Sequence, residues 1–416
     1  MITPPMFAIR PLIPLLAAAG ILLAGNGLLG TLIALRGAQE GFSTTQIGLM
    51  GTTYFLGFMA GCYLVPVLLR TVGHIRTFSA LAAIAASGTL LMVIVIDAGA
   101  WMGLRFVLGL CFSGLFTTVD SWINSSVSNE IRGKVLSLYR IIDILSVTSI
   151  QFLIPIIGTQ GIALFALMTI LTCLSLVPVA LGDRSRPKPP DAVKFDLAGV
   201  WAISPMACLG CVTIGMTNSA FRLVGPIYAQ EVGLTIAGVA TFMSAGIFGG
   251  AVLQYPLGQL SDRFDRRQVL IVATAMAVAS SLFLSFVAGN NETMLLFGIF
   301  CFGAFSLPLY SLSAAHANDR AEGNQFVIVA AGLIFFFSFG ASIGPVLAAV
   351  LIENFGPGAL FNYTGLAHSA LIIIALWRMT SRSAVPVGTR PKFVGLMRTS
   401  LFLAKIGRKK GKRNLH

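Results

Sequence analysis

Two stretches of this chain leave little choice of fold. Gly238 to Leu257 holds no charge, and neither does Val269 to Ala288. A helix needs about 20 apolar residues to cross a hydrocarbon core, so each stretch can span a bilayer. Between them sits Gly258-Gln259-Leu260-Ser261-Asp262-Arg263-Phe264-Asp265-Arg266-Arg267, a tight charged turn confined to one membrane face. Uncharged runs of this length recur along the chain, and only 10% of its residues are charged. A soluble domain carries about 25%, so a water-soluble globule is excluded. A membrane barrel is excluded too, because the alternation of polar and apolar positions over about ten residues is absent.

The formal net charge of +13 invites comparison with nucleic-acid binders. The basic residues instead occupy short loops and the tail after Trp377, with no basic groove interleaved with aromatics. That is the distribution membrane orientation demands, and no nucleic-acid partner is expected. The six cysteines, Cys62, Cys111, Cys173, Cys208, Cys211 and Cys301, all fall in apolar runs. Cys208 and Cys211 form a C-x-x-C, but no second Cys or His pair stands at ligand spacing. Small buried thiols in packed helices are expected, with no metal and no cofactor. The apolar run after Arg10 continues to Leu35, longer than the 7–15 residues of a signal core, and reads as a retained first helix.

Twelve spans follow, approximately 11–35, 45–69, 75–96, 100–124, 134–157, 161–182, 199–222, 236–260, 268–288, 292–315, 324–352 and 358–378. The eleventh is long enough to include irregular ends. The longest polar interruption, Gly182 to Lys194, carries six charges and three prolines and falls after the sixth span. The expected organisation is a six-helix bundle over 1–182, a cytoplasmic linker over 183–198, a second six-helix bundle over 199–378 and a basic tail over 379–416. The fold class is all-α: twelve transmembrane helices in two pseudo-symmetric six-helix bundles. One sequence offset relates Asp265 to Gly73, Gly249 to Gly57 and Asp262 to Arg70, as expected of a repeated half. Lys and Arg crowd the loops after even-numbered spans and both ends of the chain. Loops after odd-numbered spans hold only Arg36 and Arg222, both read as helix-end residues. Both termini are therefore expected in the cytoplasm of a multi-pass protein.

The turn between the eighth and ninth spans, Gly-x-Leu-x-Asp-Arg-x-Asp-Arg-Arg, resembles the signature loop of the major facilitator superfamily of secondary transporters. Arg105-Phe106-Val107-Leu108-Gly109 in the fourth span and Arg132-Gly133-Lys134 at the head of the fifth are similar to further motifs of that family. Asp120-Ser121-Trp122-Ile123-Asn124 and the segment from Gly249 to Gly258 resemble a bacterial branch of unassigned substrate, the YcaD-like group. The resemblance runs from Leu12 to Trp377. It implies a monomeric inner-membrane carrier that moves a small molecule by alternating access, coupled to protons. It also assigns a gating role to Gly258, Asp262, Arg263, Asp265, Arg266 and Arg267, with Arg70 and Gly73 at the matching sites of the first half. The family usually places an acid where Arg70 stands, so the acidic latch is expected at Asp262. By pseudo-symmetry that carboxylate should meet the amino end of the fifth span, near Arg132 and Lys134.

Charges within spans cost about 2.5–3.5 kcal/mol each on insertion scales, so they are functional candidates. Four lie away from the expected helix ends: Arg105, Asp120, Arg140 and Asp143. At 1.5 Å rise per residue, Asp120 and Arg140 reach similar depths in the hairpin of the fourth and fifth spans. A contact between them is expected, with Asp143 one turn deeper on the face of Arg140. Two readings stay open. The cluster is a clamp that never titrates, or Asp120 or Asp143 takes up a proton once its pairing with Arg140 breaks. Arg105 either supports carbonyls of the glycine-rich first span or takes part in coupling.

The cavity of such a fold lies at the midplane of the first, fourth, seventh and tenth spans. Asn26, Thr213, Thr217, Asn218, Tyr310 and Ser311 are the expected lining, with Tyr54, Gln151 and Gln254 from neighbouring spans. Each is equally a candidate for an interhelical hydrogen bond. This set is polar but weakly charged, with Phe335, Phe336 and Phe337 nearby, and suits a neutral or amphipathic solute. The tail places Phe393, Leu396, Leu401 and Phe402 ahead of Arg408, Lys409, Lys410, Lys412 and Arg413. It reads as an amphipathic segment on anionic inner-leaflet lipid or as a disordered basic end. An intramembrane enzyme is a poorer reading, since the four histidines (His74, His316, His368 and His416) form no i, i+4 pair. A receptor or scaffold on the same fold is the remaining alternative.

Overall fold

A computed structural model describes residues 12–127, 131–181, 196–322, 325–381, 385–386, 390 and 393. Twelve helices in it are long and apolar enough to cross a membrane. They are Ile13–Gln39, Thr44–Thr71, His74–Ile94, Ala98–Ile123, Lys134–Ile157, Ala163–Leu181, Pro205–Glu231, Ile236–Arg263, Arg266–Phe286, Glu292–Asn318, Ile328–Phe355 and Ala359–Thr380. Large apolar side chains such as Tyr63, Ile156, Phe286 and Trp377 point outward, as a lipid-facing surface requires.

Short turns set where the spans start. Gly41 at φ 81° reverses the chain, and Ser43 then caps the second span in a capping box with Gln46. At the same offset that relates Gly57 to Gly249, Gly233 at φ 92° reverses the chain and Thr235 caps the eighth span. The repeat is thus written in turn chemistry as well as in the signature loop. Asp97, Asp265 and Asn291 cap the fourth, ninth and tenth spans with their side chains.

Within the first six spans, the first packs on the fifth and sixth, the second on the fourth, and the third on the fourth and sixth. Within the last six, the seventh packs on the eleventh and twelfth, the eighth on the tenth, and the ninth on the tenth and twelfth. Two six-helix bundles result. They meet mainly where the second span lies on the eleventh, the first on the seventh and the fifth on the eighth.

Glycines bring backbones together within each bundle. A Cβ added to Gly57 would stand 1.9 Å from the Phe106 carbonyl oxygen, and one on Gly109 1.9 Å from that of Tyr54. The second bundle repeats this: a Cβ on Gly249 would stand 2.2 Å from the Phe300 oxygen, and one on Gly303 1.8 Å from that of Gly246. Small residues at such positions let membrane helices gain packing energy where no hydrophobic force joins them.

Several boundaries differ from the sequence reading. The seventh span starts at Pro205, capped by Ser204, after a separate short helix Leu197–Ile203, and runs on to Glu231. Arg222 therefore lies well inside it, not at its end. Among the described residues the eleventh span is one regular helix, Gln325–Phe355, of 31 residues through Pro345. Cys173 is exposed, while Cys62, Cys111, Cys208 and Cys211 are buried as expected. The polar linker, the side chain of Arg132 and most of the basic tail lie outside the described residues.

A candidate transport cavity and its charged loop

A cavity of about 160 Å³ lies between the bundles, lined by the first, second, fourth and fifth spans on one side and the seventh, eighth and eleventh on the other. At the end carrying the loops after odd-numbered spans, the bundles press together. A Cβ on Gly48 would stand 2.8 Å from the Pro345 oxygen, and one on Gly51 2.4 Å from Leu223. The Thr45 N–H donates to Glu353 at 2.9 Å, and the Ser244 hydroxyl to the Thr148 carbonyl at 3.3 Å. The cavity is closed on that side.

Three arginines and one acid reach it. Arg140 forms an ion pair with Asp143, one turn along its own helix. Its Nε and Nη2 donate to Oε1 of Gln254 in the other bundle, at 3.1 and 3.0 Å. Gln254 in turn donates to Ser311 Oγ at 3.1 Å. Arg105 stands with its guanidinium 4.3 Å from the Tyr54 ring centroid, and its Nε donates to the Met50 carbonyl at 3.4 Å. The Gly109 approach to Tyr54 is what brings these two spans close enough for the stack. Tyr54 donates to Asn26 Oδ1 at 3.2 Å. Arg222 donates through Nε to Asn218 Oδ1 at 3.1 Å. Gln151 donates to the Gly27 carbonyl at 3.0 Å.

The sequence-derived set divides on this geometry. Asn26, Tyr54, Arg105, Arg140, Asp143, Gln151 and Asn218 line the cavity. Gln254 and Ser311 join it through the bond to Arg140. Tyr310 packs its ring on Phe337, 5.6 Å between centroids. Thr213 and Thr217 do not line it, and the Thr217 hydroxyl donates to its own helix at the Thr213 carbonyl. The expected Asp120–Arg140 contact is not made: Arg140 is turned to Asp143 and Gln254, and Asp120 lies buried at 1% exposure away from the cavity. Matching depth on two helices did not fix matching faces. Asp143 does lie on the Arg140 face, as the spacing required.

Arg222 was missed because the seventh span was ended there. A Pro205 start after a Ser204 cap would have moved the span along and exposed the error. With Arg222 included the lining is no longer weakly charged, since it carries three guanidiniums against one carboxylate.

The signature loop forms a separate polar cluster. Arg266 is 2% exposed. Its Nε donates to Asp319 at 2.8 Å, its Nη2 lies 3.0 Å from Asp262, and its Nη1 donates to Ser261 Oγ at 3.1 Å. Arg267 holds Asp265 through its side chain and its backbone N–H. Burial acts to raise the pKa of the Asp265 carboxyl, but the bonds and charge of Arg267, with the charge of Arg390, outweigh it and hold that pKa low. Burial raises the Asp319 carboxyl to about 6 against the opposing pull of Arg266 and Arg390. The contacts of the Asp262 carboxylate are Arg266 and, at 2.9 and 3.0 Å, the N–H of Phe393 from the tail. At the first-half counterpart Gly73 turns at φ 87°, Arg70 is exposed, and His74 bonds Ser121 at 2.9 Å, with no such cluster of acids among the described residues.

Twelve spans in two related bundles around a central cavity are the architecture of a membrane transporter. The Major Facilitator Superfamily family model matches residues 15–205 and again 206–405, and the chain belongs to that superfamily. It is 25% identical over 383 residues to the MFS-type transporter YcaD of Escherichia coli O139:H28, covering 91% of this chain and 98% of YcaD. The same identity and coverage hold for YcaD of Shigella flexneri. Among solved structures, the nucleoside transporter NupG superposes with a TM-score of 0.75 at 8% identity, covering 90% of this chain and all of NupG. A bacterial Spinster homologue in an inward-facing, occupied conformation gives a TM-score of 0.69 at 13% identity, covering 93% and 99%. These likenesses carry the fold, not the solute.

Proposed function

We propose that the chain is a monomeric, proton-coupled carrier that moves a small solute through the central cavity by alternating access. On this reading it works in the bacterial inner membrane with both termini cytoplasmic. The basic bias of the loops after even-numbered spans supports the orientation. The moving units are the bundles 1–182 and 199–378, joined by the linker 183–198 and followed by the tail 379–416.

One observation carries the coupling. Among the described residues Asp143 is the single carboxylate lining the cavity, and the arginine that pairs with it is held from the opposite bundle by Gln254. Any movement that parts the fifth span from the eighth disturbs Arg140, and with it the compensation of Asp143. A half-buried carboxylate that loses its cation takes up a proton more readily. Asp120 is buried outside the cavity and takes no part in this coupling. A fucose:proton symporter shares the fold at a TM-score of 0.57 and 14% identity, covering 89% of this chain and 99% of that one.

The test is proton movement in proteoliposomes holding a trapped pH dye, after external addition of solutes from a metabolite panel. A solute-dependent pH change in the unsubstituted protein that vanishes in Asp143→Asn and persists in Asp120→Asn is expected. Normal coupling in Asp143→Asn would sink this assignment. Saturable binding without flux would favour a receptor.

A further inference from the structure

We infer that the solute is a small organic anion with an apolar body, its acidic group held between Arg105 and Arg222. This rests on the carrier reading above. Three guanidiniums line the cavity and only Arg140 has a carboxylate partner there. Among the described residues, Arg105 and Arg222 bond only neutral oxygens, those of Met50 and Asn218. Asp143 is shared, since its charge also acts on Arg222, so three cations face one acid in the described lining. Such an excess of like charge away from water is costly, and an anionic ligand offsets it.

Asn218 adds a second, independent pointer. A guanidinium only donates, so the bond from Arg222 fixes Oδ1 toward it and turns the amide Nδ2 away. That Nδ2 is buried without a hydrogen-bond partner, on a residue that is 2% exposed and lines the cavity. A donor beside two cations is the complement of a carboxylate or similar oxyanion. Phe55, Phe58, Phe116 and Phe337 close the rest of the lining and suit an apolar body. The sequence-based expectation of a neutral solute changes because Arg222 enters the site. Coupling then has a simple form. Arg105 and Arg222 hold the anion; when the fifth and eighth spans part, Asp143 loses Arg140 and takes a proton, and a monoanion crosses with one proton as a neutral load.

The test is binding, kept apart from flux. Detergent-purified protein is titrated by thermal shift at fixed pH with benzoate, hexanoate, phenylphosphonate and phenylsulfonate against benzamide and hexanol. At least one anion is expected to stabilise saturably while its uncharged analogue does not. Arg222→Gln is expected to weaken it by about tenfold or more, the scale of one charge-assisted bond, with Arg222→Lys recovering part of the loss. Equal stabilisation by the uncharged analogues, no stabilisation by any anion, or an unchanged response in Arg222→Gln overturns the inference. Thermal shift reads binding without proton flux, so loss of coupling and loss of anion recognition are read separately.

A different observation carries a second proposal: the tail of this chain straps its signature loop. The Phe393 N–H donates to both oxygens of Asp262, and a Cβ on Gly258 would stand 2.1 Å from the Phe393 ring. Arg390 donates to the Phe264 carbonyl at 2.8 Å, where the eighth span ends, and folds back on Val385 at 2.8 Å. A cation on the last carbonyls of a helix is favourably placed. While the strap is seated, Asp262 is spent within its own bundle and cannot latch the fifth span. Hydrogen exchange on the full chain tests this without a solute. Slow exchange at the Phe393 amide is expected in the unsubstituted protein. Asp262→Ala should raise it by about tenfold or more. Phe393→Pro, which removes the N–H, should slow exchange in the first turn of the fifth span as Asp262 is released. A Phe393 amide that exchanges at the rate of unstructured chain overturns the strap. A fifth span indifferent to Phe393→Pro overturns the competition.

Discussion

Gly57 and Gly249 stand at one offset, and each presses a helix backbone against a neighbour's carbonyl, those of Phe106 and Phe300. Gly41 with Ser43 and Gly233 with Thr235 repeat at the same offset. The charges do not follow. The first bundle places Arg105, Arg140 and Asp143 at cavity depth, while the second offers Arg222 there. The second bundle instead builds an ion cluster at its loop from Asp262, Arg266 and Asp319. Packing is duplicated because both bundles solve one problem, joining helices in lipid. Charge is not: the first bundle supplies most of it at the cavity, and the second gathers it at the loop.

The sharpest way to break the comparison is to overfill both halves. Gly57→Leu and Gly249→Leu should each cost well over the usual overpacking penalty of about 1–3 kcal/mol, since the clash is with backbone. Both should lose folded protein on size-exclusion chromatography. A tolerated substitution in one half alone would mean that the packing is not duplicated.

Next come the two ion clusters. Arg266→Ala strips a buried cation from two acids and should cost about 3–5 kcal/mol, seen as a lower Tm. Arg140→Ala leaves a single, partly exposed acid and should cost less. The reverse order would place the structural cluster in the cavity and the movable one at the loop.

The loop also carries a pH signature. Asp319 has its pKa raised to about 6, above the ordinary carboxylate value, so the folded loop binds a proton more tightly than the unfolded chain. Its contribution is fully present below the unfolded value near ~4 and is lost as pH rises through about 6. Local opening of the loop, by hydrogen exchange corrected for intrinsic rates, should therefore become easier from pH 5 to 7. Asp319→Asn should flatten that profile. The smallest effect is expected at Arg70→Asp, which restores the acid missing from the first half. An exposed site of this kind should change stability by about 1 kcal/mol or less.

Apolar runs along the chain, those beside the signature loop among them, were enough to fix the membrane and the number of spans, and one repeated offset pointed to the doubled bundle. Hydrophobic length and turn chemistry are local properties, and lipid forces every backbone group into a helix. The position of Asp143 on the Arg140 face was also legible, because one helix sets it. What the sequence left undecided lay between helices. Asp120 and Arg140 share a depth but not a face. Arg222 entered the cavity because Ser204 and Pro205 reset where its span begins. Asp262 turned to Phe393, more than a hundred residues along the chain. Each depends on the rotation and slide of one helix against another, which no spacing within a single helix records.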